Sequence, residues 1–246
     1  MSVRMALVSL MVVLSSACVT HGEQISPKSW MTTPTPRPGD WVKRHEGFVQ
    51  LAHQGGIDVL FIGDSITDGW RNTGLATWKK YFAPLKAANF GIAGDGTQNV
   101  LWRLQNGELD LPQQPKAVVF LLGTNNIPSN FQHDDMQETA RMVAEADQLL
   151  IQTIHAKLPQ TKVLLLAIFP RGEGPNPGRD CIKLVNEKLA KLESERVRFL
   201  DIGSIFLDGT HIPHELMSDF LHPTGKGYER WAPAMLPVLK ALLLTR

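Results

Sequence analysis

Four stretches of this chain collect the residue types that acyl transfer needs. Gly63-Asp64-Ser65 offers a hydroxyl directly after an apolar run, and Gly91-Ile92-Ala93-Gly94-Asp95-Gly96 offers glycines where backbone can approach a ligand. Leu122-Gly123-Thr124-Asn125-Asn126 supplies side-chain amides, and Asp219-Phe220-Leu221-His222 sets a carboxyl and an imidazole three residues apart. A serine hydroxyl attacks an ester poorly unless a base takes its proton, and a neutral imidazole within hydrogen-bond reach is suited to that task. His222 is the candidate base, and Asp219 the group that would hold its ring in one tautomer and stabilise the imidazolium formed during attack. Each residue also has a plainer reading. Ser65 suits a helix N-cap, Gly94 a turn, Asn125 a loop-ordering hydrogen bond, Asp219 a cap, and His222 a surface site beside Pro223. It is their joint occurrence that favours serine chemistry.

Such residues need a scaffold, and the rest of the chain describes one. Short, nearly uniform apolar runs at Ile57–Ile62, Ala87–Ile92, Ala117–Leu122, Val163–Ile168 and Val197–Ile202 have the length and character of buried parallel strands. Between them, Met136–Leu158 and Asp180–Glu195 carry apolar residues at intervals of three and four, the first ending before Pro159. The alternation predicts an α/β fold, a parallel sheet with helices on both faces. In such sheets functional residues gather in the loops beyond the carboxyl ends of the strands, which is where the first three stretches lie. No internal period suggests a solenoid or propeller.

At these residues the chain resembles the SGNH, or GDSL-type, esterase and lipase family. The resemblance runs from about Ile57 to Tyr228, with all four blocks in the family's order. Within the family it is most similar to the platelet-activating-factor acetylhydrolase catalytic subunits and their bacterial relatives, through Asn89–Asp110, Pro170–Asp180 and Asp219–Tyr228. The resemblance implies a three-layer α/β/α sandwich on a five-stranded, flavodoxin-like parallel sheet. It implies that Ser65 is the nucleophile, with Asp219 and His222 completing a triad. The oxyanion hole would be the backbone N–H groups of Ser65 and Gly94 with the side-chain amide of Asn125. Gly91 competes for the glycine's place, while Asp64 and Asn126 suit loop geometry better than reaction.

Substrate contacts are less legible. Ile66 follows the nucleophile and Leu221 precedes His222, so branched side chains flanking the acyl group would leave room for little beyond acetyl, although both are equally ordinary core residues. Trp102-Arg103 reads either as a leaving-group wall or as core, and Arg171 and Arg179 either as an anion contact or as part of a solvated loop. His211-x-x-His214 is a weak metal signal with no third ligand, and Asp64 with Asp68 a weak magnesium one. No metal and no cofactor is expected.

The termini and composition bound the setting. Arg4, the apolar run Ala6–Leu14 and the small residues Ser15–Ala17 outline a secretory signal over 1–17. Cys18 resembles the acceptor of a bacterial lipoprotein signal, though Leu14 falls one step early and plain cleavage after Ala17 competes. A Pro/Thr-rich tether over 18–38 and a catalytic domain over 39–246 complete the layout. The expected location is the periplasm, the outer surface through a lipid anchor, or outside the cell. No apolar stretch reaches the ~20 residues of a membrane span, so no integral span is expected. A net charge of +1 disfavours a nucleic-acid partner, and Cys18 and Cys181 alone support neither a disulfide framework nor a cysteine metal site, Cys181 reading as a small buried hydrophobe. The partner is then a small-molecule or glycan ester, with a homodimer open. A lipid esterase, lysophospholipase or thioesterase on the same triad, and a secreted non-catalytic binding module, are the alternative readings.

Overall fold

The computed structural model describes residues 30–128 and 135–244. Residues 1–17, Cys18 and the first part of the 18–38 segment lie outside them. Five strands, β1 (Val59–Gly63), β2 (Ala87–Gly91), β3 (Ala117–Leu121), β4 (Lys162–Leu166) and β5 (Val197–Leu200), form one sheet in the order β2-β1-β3-β4-β5. Every pairing is parallel, with Val59 opposite both Ala87 and Ala117. This is the flavodoxin-like order, with the switch point between β1 and β3, where the chain leaves one side of the sheet for the other. The strands are shorter than the apolar runs because Leu122, Ala167, Ile168 and Ile202 stay buried after the ladder ends, turning back over the core as loops.

Strand side chains alternate between two apolar layers. Leu60, Ile62, Val118 and Phe120 face the layer shared with Phe48, Val100, Leu150 and Val185 of helices α1 (Asp40–Gln54), α4 (Thr97–Arg103), α5 (Met136–Lys157) and α6 (Pro177–Leu189). Val59, Phe61, Val119 and Leu121 face the other, built on Trp70, Phe82, Tyr228 and Trp231. Helices α2 (Ser65–Asp68), α3 (Leu75–Tyr81) and α7 (Gly225–Leu244) lie on that side. Helix α6 starts where sequence physics places a start, with Asn176 capping the Arg179 N–H at 3.1 Å and Pro177 in the first turn. Helix α7 is less obvious because it contains Pro233 and Pro237. They are four residues apart and both exposed, so the carbonyls they orphan share one solvent face and the helix continues.

Residues 30–38, the C-terminal part of the Pro/Thr-rich segment, are packed on the domain. Met31 is buried, its carbonyl accepts from Thr97 Oγ1 at 2.9 Å, and Thr35 exchanges bonds with Gln98 O (3.0 Å) and Asn99 Nδ2 (2.9 Å). Among the described residues the packed body therefore takes in this strap as well as residues 39–128 and 135–244.

Candidate active site

The nucleophile candidate stands at the carboxyl end of β1, the central switch strand. Gly63 lets the chain turn: a Cβ there would collide with Thr67 Oγ1 and the Leu121 carbonyl. Asp64 caps the short helix α2 by accepting the Ile66 N–H at 2.9 Å, which leaves Ser65 as the first helical residue, half-buried and pointing out of the turn. Across the site, Ser65 Oγ lies 2.8 Å from His222 Nε2, and His222 Nδ1 lies 2.6 Å from Asp219 Oδ2. A carboxylate can only accept, so the Nδ1 proton belongs to that bond and Nε2 is left free to accept the serine proton.

Asp219 has a second task. Its other oxygen accepts the Leu221 N–H (3.1 Å) and the His222 N–H (2.8 Å), so one side chain both folds the turn and aims the ring. Partial burial raises the Asp219 pKa, but the His222 ring, the two N–H groups and the imidazole charge outweigh it and leave the carboxyl below its ordinary value. Phe220, inside the turn, adopts φ +57, and its carbonyl is held by the Gly172 N–H at 2.7 Å.

The oxyanion candidates sit on the next two loops. Among the described residues neither the Ser65 nor the Gly94 N–H has an acceptor, as expected for the first turn of a helix and for an exposed glycine at φ +79. Asn125 uses one amide hydrogen on the Asp95 carbonyl at 2.9 Å, which sets the amide plane and leaves its second hydrogen available. Asn126 organises rather than presents, accepting the Thr97 N–H at 2.9 Å and donating to Thr97 Oγ1 and Gln98 Oε1. Ile66 is 2% exposed and belongs to the Trp70–Trp231 layer, against which half-buried Leu221 also packs, so both rest on one apolar floor and the Ile66 side chain is part of the core.

Two buried carboxyls frame the site. Asp64 is 1% exposed and its Oδ2 has no partner among the described residues; burial lifts its pKa to about 7 against the pull of the Ile66 N–H. Asp147 on α5 is fully buried with neither oxygen bonded, and burial, reinforced by Asp64, lifts its pKa well above 3.8. A raised folded-state pKa means that folding favours the protonated form. The stabilisation is complete below pH 3.8 and is lost as pH rises through the folded value. Asp147→Asn, which cannot ionise, is expected to melt above the wild type by a margin that widens from pH 4 to pH 8. A margin constant across that range in calorimetry would show that Asp147 is not neutral in the fold.

Several sequence candidates are committed elsewhere. Asp68 accepts from Arg44 at 2.5 Å and Arg71 at 2.8 Å, so its carboxylate is held by guanidinium groups and turned to a different purpose from that of Asp64. Arg103 is fully buried, paired with Glu108 (2.7 Å) and Asp95 (2.9 Å), while Trp102 packs on Trp41 and His45. Burial raises the Asp95 pKa, against the pull of Arg103, Trp41 and Arg37. Arg171 donates to the carbonyls of Thr124, Ile127 and Pro128, and Arg179 to those of Arg171, Gly172, Glu173 and Thr210. These arginines bind backbone, tying the Asn125 loop to the wall beside Asp219. His211 contacts Thr210, and His214 packs edge-on against Phe220. Cys181 is buried, its thiol pushed up to about 11. Tyr228, which the sequence did not single out, donates to the Ile66 carbonyl at 2.7 Å and anchors the short helix that carries Ser65 to α7. Among the described residues no helix is long and apolar enough to cross a membrane.

Known proteins fit this geometry. The pattern of the GDSL-like lipase/acylhydrolase family matches residues 61–230. The human platelet-activating factor acetylhydrolase IB subunit alpha2 is 38% identical over 207 residues, covering 82% of this chain and 85% of that protein. The human alpha1 subunit is 39% identical over 209 residues, with 83% and 85% covered. Among solved structures, a catalytic mutant of an acetylxylan esterase from Geobacillus stearothermophilus superposes with a TM-score of 0.58 at 21% identity, covering 78% of this chain and 96% of that one. A GDSL-like lipase from Bacteroides thetaiotaomicron gives 0.60 at 22% identity, with 81% and 96% covered. The two structures support the shared layer architecture, and the family match together with the curated relatives carries the stronger statement: this chain belongs to the GDSL-like lipase/acylhydrolase family.

Proposed function

We propose that the chain is an exported serine esterase that removes short acyl groups, chiefly acetyl, from oxygen esters of carbohydrates. The observation that carries the reading is the continuous relay from Ser65 Oγ through His222 to Asp219, at 2.8 and 2.6 Å. In this reading Ser65 Oγ attacks the ester carbonyl while Nε2 takes its proton. The oxyanion meets the N–H groups of Ser65 and Gly94 and the Asn125 amide. Collapse expels the alcohol with the proton from His222, and water, activated by the same imidazole, releases the acid from the acyl-enzyme.

The acetyl preference rests on the branched Ile66 and Leu221 that adjoin Ser65 and His222 in the chain, and on the acetyl groups named for relatives of both kinds. Carbohydrate is favoured by the cleft of about 560 Å³ that adjoins Asp219 and Leu221, where the exposed Glu173 carboxyl stands on a largely apolar wall of residues 171–178 and can accept from a hydroxylated leaving group. Export rests on the Met1–Ala17 signal, with Cys18 as the lipid acceptor.

The test is hydrolysis of p-nitrophenyl acetate, butyrate and octanoate by the chain from Cys18 onward, with Ser65→Ala as control. Turnover selective for acetate and abolished in the variant is expected, followed by acetate release from acetylated xylo-oligosaccharides. Octanoate hydrolysed as fast as acetate would move the substrate to lipids, and turnover indifferent to Ser65 would end the esterase reading.

A further inference from the structure

We infer that Arg37, on the strap that precedes the first helix, is a positioning residue for the oxyanion hole: it sets the direction of the Ala93–Gly94 peptide. The inference rests on the esterase reading above. Arg37 lies outside residues 61–230, the stretch matched by the family, and in a Pro/Thr-rich segment whose sequence suggests only a tether.

The geometry is specific. Arg37 Nη1 donates to the Ala93 carbonyl at 2.8 Å and to Asp95 Oδ1 at 3.0 Å. Ala93 C=O and Gly94 N–H belong to the same planar, trans peptide, in which carbonyl and N–H point in opposite directions. A guanidinium holding the carbonyl on one side therefore holds the N–H toward the other. That N–H is the proposed oxyanion donor, and it has no acceptor among the described residues.

Such a clamp is needed because the peptide ends in glycine. Gly94 sits at φ +79 and is exposed, so nothing in its own side chain opposes a flip that would present the carbonyl, a repulsive group, to the oxyanion. Arg37 also lies flat against the glycine: a Cβ on Gly94 would meet Nη1 and Nη2 at 3.2 and 3.3 Å. A charged donor on the carbonyl further polarises the peptide and strengthens its N–H as a donor.

Both ends of the clamp are anchored. Asp95, fully buried, takes the Trp41 indole N–H at 2.7 Å on the oxygen that Arg37 also uses, and its backbone carbonyl takes the Asn125 amide at 2.9 Å. The strap is fixed through Met31 and Thr35 to the start of α4. Arg37 itself is 39% exposed and stands at the solvent edge of this cluster. One surface arginine thus reaches two of the three proposed oxyanion donors, Gly94 directly and Asn125 through Asp95.

The experiment compares wild type, Arg37→Ala, Arg37→Gln and Arg37→Lys on p-nitrophenyl acetate, together with inhibition by phenylboronic acid, which adds to the serine as a tetrahedral anion. Arg37→Ala is expected to lower kcat by about 10–100-fold with KM within about twofold, less than the loss of a whole donor. The boronate should weaken by a similar factor, and inhibition by the planar product acetate should not. Arg37→Lys, which keeps a charged donor, should recover most of the loss. A kcat within about twofold of wild type in all three variants overturns the inference, as does a kcat loss with unchanged boronate affinity. If Arg37→Ala does not fold, Arg37→Gln and Arg37→Lys decide by the same readouts. Wild-type turnover that does not depend on Ser65 would instead defeat the esterase reading, so the two failures are distinct.

Discussion

Ser65→Ala and His222→Ala each lower kcat on p-nitrophenyl acetate by about a million-fold, and the double variant lowers it no further. The expectation follows from the 2.8 Å contact between Ser65 Oγ and His222 Nε2. Without the hydroxyl there is no nucleophile to activate, and without the ring the hydroxyl keeps its proton, so each loss already removes the whole acylation route. Asp219→Asn is expected to cost less, because the Leu221 and His222 N–H groups can still hold the turn through its remaining oxygen while the ring loses its carboxylate partner. Single-turnover measurements on all four proteins check this. Losses that multiply in the double variant would mean that the two residues act independently, and the relay would have to be given up.

Arg103→Met is expected to destabilise the domain by about 3–5 kcal/mol, the usual cost of stranding buried charges. Arg103, Asp95 and Glu108 are all 0% exposed, and the guanidinium pairs with both carboxylates while donating to the Phe90 carbonyl at 2.9 Å. Methionine fills similar volume but answers none of those groups, and His45, 2.8 Å from Glu108, offers at most a partial replacement. At this chain length about 3 °C of melting temperature per kcal/mol gives a drop of ~10–15 °C. Adding Glu108→Gln should restore part of it by discharging one stranded carboxylate. Urea unfolding of the two variants reads both effects, and a loss under about 1 kcal/mol would show that water or rearrangement solvates the pocket. Because Asp95 carries Asn125 on its carbonyl, the same variant should also lower kcat at temperatures where it remains folded.

The central sheet was legible because buried parallel strands leave uniform apolar runs, and all five runs begin and end within two residues of the observed strands. Ile57–Ile62 starts two residues early because Ile57 precedes the ladder and Asp58, bonded to Lys86 on one side and Lys116 and Ala117 on the other, only opens it. The Ser65, His222 and Asp219 arrangement was legible for a different reason: four blocks in the order of a known family singled the residues out, and the three-residue spacing made the Asp219–His222 pairing a local one. Long-range backbone bonding left no such trace. Arg171 and Arg179 read in sequence as part of a solvated loop or as an anion contact because nothing local reveals that carbonyls 31 to 47 positions away take their hydrogens. Helix α7 was hidden by Pro233 and Pro237, whose shared solvent face appears only once the helix is wound. The strap over residues 30–38 was hidden by composition, since proline and threonine describe an extended chain without saying whether it docks.

The hydroxyl and the imidazole that meet at 2.8 Å are 157 positions apart, and four of the five strands are made between them. Joining them closes about two-thirds of the chain, a step that pays its loop entropy late in a fold dominated by non-local pairing. Helix content and even the strand order can form beforehand without bringing base to nucleophile. On the esterase reading, recovered turnover in a refolding experiment is thus a signal of completed assembly, and a nascent chain on the ribosome stays chemically silent until His222 has emerged and docked.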